Sequence, residues 1–509
     1  MAVRTDLDEA ASAGEGFRTT IAHADTRDGA VMTSPVLAVD QGTSGTKALV
    51  VCPVRGVLGS ASAPVRPRYL PGGRVEVDPR ELLDSVVGAG RAALAEAGEP
   101  VAAVGLANQG ETVLAWDPAT GEPLTDAIVW QDRRAEQLCA ELAPHAAWLQ
   151  ERTGLPLDPY FAAPKMAWIR RHLTRQGVVT TSDAWLVHRL TGAFATDAAT
   201  AGRTQLLDLD TAEWSPAALD AFGLTGEALP EVVGADTRVG TTTAFGPPLP
   251  LTGLLVDQQA ALLAQRATEP GTAKCTYGTG AFLLAQTGPR PRRSTTGLVG
   301  CVAWQLGGET SYCLDGQVYT AASAVRWLTD LGVISGAQDL DTVGAAAPDA
   351  GGVTFVPALA GLAAPWWRGD LRGSVTGLGL DTTAGHLVHA LCDGIAAQVA
   401  ELADAVATDL GAPLAALRVD GGLTRSALLM QAQADLLQIP VEVSALPDAT
   451  ALGVGAVARL GLDPSLGVHE ALPRWEPSAV YEPKADAGQA AERRARFRSA
   501  VAALLDRPA

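Results

Sequence analysis

The hydrophobic pattern breaks into short apolar runs that alternate with polar turns and with segments whose apolar residues recur near every 3.6 positions. The stretch VLAVDQGTSGTKALVV, residues 36–51, is an apolar strand, a tight polar turn and a second apolar strand. Residues 79–97 carry a helical pattern, with Asp78 as N-cap and Pro79 at the first helical position. VAAVGLANQGETVLAWD, residues 101–117, is strand, polar loop, strand, so Asn108, Gln109, Gly110 and Glu111 fall at a strand end. SDAWLVHRLTG, residues 182–192, predicts an amphipathic helix capped by Ser182 and stopped by Gly192.

The second half repeats this logic. LTGLLVDQQAALLAQ puts Asp257 between a strand and an apolar helix, and AKCTYGTGAFLLAQ is again strand, Gly/Thr turn, strand. LRVDGGLTRSALLMQAQADLL predicts strand, DGG turn and helix, and ATALGVGAVARLG a small-residue helix suited to close packing. The echo between DQGTSGT and TYGTGAF suggests two similar halves that face one cleft. The expected organisation is α/β with two domains, residues 35–266 and 271–462, a disordered leader at 1–34 and a peripheral segment at 463–509. Ligands in such folds bind at strand ends and between domains.

Composition narrows the class. A chain of 509 residues exceeds one core. The net charge of -18 argues against a general nucleic-acid binder, which carries a basic face. Six scattered cysteines without a CxxC pair point to thiols in a reducing cytoplasm rather than a disulfide frame or zinc site. No apolar run suggests a membrane span. A homo-oligomer is compatible with everything in the sequence.

The first hairpin holds the first candidate chemistry. Gly42, Thr43, Ser44, Gly45 and Thr46 can form an anion-binding turn. Lys47 can supply a positive charge for a phosphate, and Asp40 can hold a divalent cation through waters. The spacing is not that of a P-loop, because a strand follows where a helix is required. The same residues also describe an ordinary β-hairpin. Likewise Asp257 can be a helix N-cap, and Trp130 and Phe282 core aromatics.

In order along the chain stand VDQGTSGTK, NQGETVLAWD, AIVWQDRR, GLPLDPYFAAPKMAW, DQQAALLAQ, YGTGAFLL, FVPALAGLAAPWW, GSVTGLGLDTTAGHLVHALCDG and VDGG. Together they resemble the FGGY carbohydrate kinases, most nearly their glycerol-kinase branch, over residues 36–462. The resemblance implies two actin-like, hexokinase-type domains with the active site in the cleft between them. It also implies ATP-dependent phosphorylation of a terminal hydroxyl of a small polyol, glycerol or a tetritol, with ATP and Mg²⁺ as cofactors and no nucleic-acid or membrane partner. A kinase for another sugar such as a ketopentose, or a catalytically idle polyol sensor, is the alternative on the same fold.

Carried over position by position, the resemblance implies Asp257 as general base and Asp40 near Mg²⁺. It puts Thr43, Ser44, Lys47, Thr279, Gly422 and Ser426 near the nucleotide. Gly110, Glu111, Trp130, Tyr160, Asp257, Gln258 and Phe282 fall where the polyol is held. Ser426 replaces a frequent Asn of the family. Gly110 replaces an Arg of glycerol kinases, and the expectation is an open space beside Glu111 that admits a fourth carbon.

Overall fold

A computed structural model describes residues 34–506, so the expected leader lies outside the described residues apart from Ser34. Strands β1 (Val36–Gln41) and β2 (Gly45–Cys52) form the predicted hairpin. Its register sets Asp40 opposite Lys47. β3 (Gly56–Pro64) extends it on one side. β4 (Val104–Asn108) and β6 (Leu249–Val256) extend it in parallel on the other, with the short β5 (Gly240–Thr242) at the edge. Helix α1 (Pro79–Ala97) covers one face; Asp78 accepts a hydrogen bond from the Arg80 amide, and Gly98 ends the helix in the left-handed region.

The second sheet is built alike. β7 (Ala273–Tyr277) and β8 (Ala281–Gly288) form a hairpin, extended by β9 (Val299–Leu306) and β10 (Glu309–Val318) beyond β8. On the other side β11 (Leu417–Asp420) and β12 (Val441–Ser444) run parallel to β7. Reading β3-β2-β1-β4-β6 against β10-β8-β7-β11-β12 gives the same strand order twice, so the weak echo in sequence is a duplicated topology. The DGG turn after β11 needs its glycine: Gly421 has φ +96°, and a Cβ there would collide with the Tyr277 carbonyl.

Five helices complete the frame around the cleft. Short α2 (Ala198–Ala201) is capped by Asp197, whose carboxylate accepts from the Ala199 and Thr200 amides. α3 (Asp257–Ala264) leaves the end of β6 without a connecting loop. The long α4 (Ala384–Leu410) is the backbone of the second core, and α5 (Ala427–Leu437) follows the DGG turn. The small-residue helix α6 (Ala449–Leu462) packs on the first sheet rather than the second. A Cβ at Gly453 would strike the Ala260 carbonyl, and Gly105 and Gly253 lie as close to the α6 backbone. That helix ends the second half in sequence yet closes the first half's core.

Two sequence expectations change here. Ser182 is the first residue of its helix and not the cap: Thr181 holds the extended backbone at the boundary, and the Ser182 amide bonds the Thr112 carbonyl. The segment after Leu462 is not merely peripheral. Residues Pro477–Tyr481 add an edge strand to the second sheet, and Phe497, Val501 and Leu504 of the last helix join the second core. Among the described residues no helix is long and apolar enough to cross a membrane.

Candidate active site

The cleft between the two sheets holds a cavity of about 230 Å³. Its first wall is the β1–β2 turn, where the Gly42 amide bonds the Gly45 carbonyl and leaves Thr43 and Ser44 facing inward. Thr43 is fixed there because its hydroxyl accepts a hydrogen bond from Trp130 Nε1 at 2.8 Å. Gln41 and Gln109 join the first turn to the loop after β4, with Thr112 donating to Gln109.

Glu111 follows in that loop with φ +56°, uncommon for a side chain of this kind and a mark of a backbone held by its surroundings. The loop bearing Tyr160 is tied from below. Buried Lys165 donates to the carbonyls of Pro159, Tyr160 and Phe161 at 2.8, 2.5 and 2.6 Å, and Asp158 accepts from the Tyr160 amide. Burial pushes the Lys165 ammonium down to about 8. Trp130 meets Tyr160 and Phe282 edge to face, with ring centroids 5.6 and 6.0 Å apart, so residues of both halves make one aromatic wall.

Asp257 opens α3 as its first residue, and its Oδ1 accepts from the Gln258 amide at 2.6 Å. Asp257 is therefore the first helical residue and not the N-cap, a place that Val256 holds without a side-chain bond. Burial first, and the Glu111 charge second, raise its carboxyl to about 7. Gln258 is oriented by Lys274, which is fully buried and donates to Gln258 Oε1 at 2.6 Å and Thr276 Oγ1 at 2.8 Å.

The cavity thus brings together Thr43, Ser44, Gly110, Glu111, Trp130, Tyr160, Asp257 and Gln258 from the first half with Thr279 and Phe282 from the second. A wider cavity of about 590 Å³ adjoins it, and the two share Gly278 and Thr279 of the β7–β8 turn. Gly422 and Ser426 line the wider cavity. A Cβ on Gly422 would meet open space, whereas the Ser426 hydroxyl is engaged, donating to Asp341 at 2.6 Å and capping α5.

Asp40 and Lys47 line neither cavity. Asp40 is raised to about 8 by burial and by the charges of Asp257 and Asp448, and Lys47 pairs with Asp448 at 3.5 Å. Asp448 precedes α6 in the left-handed region at φ +58°.

The open space expected beside Glu111 is not there. Arg203, 4% exposed at the end of α2, lies against Glu111, Nε to Oε1 at 2.6 Å. A Cβ on Gly110 would stand 3.2 Å from Val256 Cγ2 and 3.9 Å from Arg203 Cγ. The guanidinium missing at position 110 is therefore supplied from elsewhere in the chain, and an arginine leaving Gly110 would run alongside it. Arg203 also reaches Asp315 of β10, Nη1 to Oδ2 at 2.5 Å, and so bridges the two halves. Sequence reasoning missed Arg203, Asp315, Lys274 and Asp448. Asp315 and Lys274 leave a signal, each a single charge within the buried part of its strand.

Comparison with known proteins shows the family. Models of the FGGY family of carbohydrate kinases match the chain, the N-terminal domain over residues 35–264 and the C-terminal domain over 273–461. A glycerol kinase of Alkalilimnicola ehrlichii is 42% identical over 486 residues, covering 92% of this chain and 97% of that one. The structure of a Plasmodium falciparum glycerol kinase with ADP superimposes with a TM-score of 0.84 at 30% identity, over 93% of this chain and 99% of that chain. A ligand-bound xylulose kinase of Lactobacillus acidophilus shares the fold, with a TM-score of 0.85 at 20% identity, over 93% of this chain and 98% of that one.

Proposed function

Because the chain belongs to the FGGY family of carbohydrate kinases, we propose that it transfers the γ-phosphoryl group of ATP to a terminal hydroxyl of a small polyol, glycerol being the first substrate to test. The observation that carries this reading is the junction of the two cavities. A cavity walled by Glu111, Trp130, Tyr160, Asp257, Gln258 and Phe282 meets a larger one at Gly278 and Thr279, so a polyol and a nucleotide can approach at one turn.

Asp257 acts as general base on the attacking hydroxyl, and Gln258, held by Lys274, orients it. The aromatic wall packs on the carbon face of the polyol, and Glu111 accepts its hydroxyls. Thr43, Ser44 and Thr279, with the amides of their turns, surround the transferring phosphoryl, while Gly422 and Ser426 floor the nucleotide cavity. Lys47, which pairs with Asp448 at 3.5 Å, keeps donors free for a phosphate. Closing the halves excludes water that would otherwise accept the phosphoryl.

Mg²⁺ fits beside Asp40. Burial and the charges of Asp257 and Asp448 both disfavour the ionised Asp40 carboxylate, a penalty that a cation beside it would relieve. Among the described residues no cluster of His, Cys, Asp and Glu could enclose a metal, which agrees with an ion held mainly by water and phosphate. Bound there, Mg²⁺ supplies charge neutralisation to phosphate oxygens.

A coupled ADP-release assay across C3 to C6 polyols and ketoses tests the function. ADP release that no polyol or sugar accelerates would leave an idle binding protein. For Asp40→Ala we expect loss of Mg²⁺-dependent turnover with polyol binding still measurable by calorimetry. Equal loss of polyol and nucleotide binding would make Asp40 a structural residue.

A further inference from the structure

Lys274 is a fully buried ammonium in β7. The pleat sets it on the same face of the strand as Thr276, two residues on, which lines the polyol cavity. Burial pushes the Lys274 ammonium down from its ordinary value, and among the acids Asp420 acts most strongly against this, then Asp257 and Asp315. Two acceptors take its protons, Gln258 Oε1 at 2.6 Å and Thr276 Oγ1 at 2.8 Å. The first of these bonds crosses the cleft, from the second sheet to the first turn of α3.

That bond settles which end of the Gln258 amide faces the substrate. An ammonium only donates. Gln258 must therefore turn its carbonyl oxygen to Lys274, which leaves the amide nitrogen on the other corner of the group. Gln258 lines the polyol cavity, and among the described residues no protein acceptor reaches its Nε2. Asp257 lines the same cavity from the preceding position of α3, and as a carboxylate it only accepts. Two other nitrogen donors of the cavity are already engaged, Arg203 on Glu111 and Asp315 and Trp130 on Thr43. A polyol hydroxyl needs both kinds of partner, since its proton goes to an acceptor and its lone pairs to a donor.

Resting on the polyol-kinase reading above, we propose that Lys274 is a positioning residue that fixes the polarity of Gln258, so that the amide N–H, and not the carbonyl, meets the polyol and donates to one of its oxygens. The cavity is then divided in its chemistry. Asp257 and Glu111 take protons from polyol hydroxyls, and Gln258 gives one to a hydroxyl oxygen. Without Lys274 the amide is free to turn over. Its oxygen would then add a third acceptor to a cavity that already holds two carboxylates, and the polyol oxygen would lose its donor.

The experiment measures kcat/KM for glycerol in the wild type, Lys274→Met, Gln258→Met and the double variant. Each is read at the top of its own pH profile, so that a change in the titration of Asp257 does not enter. Each single variant is expected to lower kcat/KM by about tenfold, mainly through the KM for glycerol, with the KM for ATP within about threefold of wild type. In the Gln258→Met background the Lys274→Met change is expected to cost less than about threefold, because the two residues act as one unit. An equal loss with and without Gln258 overturns the proposal and leaves Lys274 a charge of the cleft. A crystal structure of the wild type with glycerol reads the polarity directly, whether or not Lys274→Met folds. A glycerol oxygen is expected within about 3.2 Å of Gln258 Nε2, on the corner of the amide away from Lys274. Glycerol bound beyond reach of that nitrogen, in a protein that phosphorylates it, overturns the proposal alone. If no polyol is phosphorylated, the polyol reading itself falls, and the proposal with it.

Discussion

Replacing Asp257 with asparagine is expected to lower kcat by about 10²–10⁴-fold, the contribution of a general base, with ATP binding nearly intact. Asparagine keeps the size of the side chain, and its carbonyl can still accept the Gln258 amide that Asp257 Oδ1 now holds at 2.6 Å. Only proton acceptance is lost. The wild type carries a further mark of this role. Burial and the Glu111 charge raise the Asp257 carboxyl to about 7, so the active carboxylate is lost as pH falls through that value. The kcat/KM of the wild type therefore rises with pH through this range, and in Asp257→Asn the part of the limb due to Asp257 is lost. Asp40 titrates nearby, so the wild-type limb reports the coupled pair, and the limb left in the variant is the share of Asp40. Retention of more than about a third of wild-type kcat would remove Asp257 from the chemistry.

Much of this fold was legible in the sequence because its signals are local. The 36–51 hairpin and the cap at Asp78 each depend on residues a few positions apart. The duplicated strand order was visible only as the echo of two Gly/Thr turns, since pairing order is a matter of long-range contacts. The packing of α6 on the first sheet was legible in part. Its glycines and alanines announced close approach, but not to which sheet.

The site shows the same division. Glu111, Asp257 and Gln258 sit at strand ends, where an α/β chain presents its ligand-binding groups. Gly110 misled because an empty side chain in the sequence does not mean an empty volume in the fold. The guanidinium beside Glu111 comes from 92 positions away, and its second carboxylate from the other half. Nothing in AGRTQ announces that its arginine crosses a domain boundary. Ser182 misled for a different reason: a serine before an apolar run suits both the cap and the first turn, and only the backbone of Thr181 decides.

Arg203→Met is expected to destabilise the protein by about 3–5 kcal/mol, because it breaks a buried ion network on one side only. Methionine fills much of the volume but leaves Glu111 and Asp315, 4% and 3% exposed, without their common cation. In the wild type burial already raises the Glu111 carboxyl, and Arg203 is the largest influence that holds it down. Without Arg203 the Glu111 carboxyl moves further up, well above the value of about 4 that it has in the unfolded chain. A carboxyl raised on folding favours the folded state while protonated, so that contribution is present at low pH and is lost as pH rises from about 4 through the raised value. The melting-temperature gap between wild type and Arg203→Met is therefore wider at pH 8 than at pH 5.5. Arg203→Lys falls between them, since one ammonium cannot span both acids as the planar fork does. Thermal melts of the three proteins at the two pH values check this. A gap that is the same at both, or a loss below about 1 kcal/mol, would mean that the two carboxylates find water once the guanidinium is gone, and that Arg203 does not join the halves of the cleft.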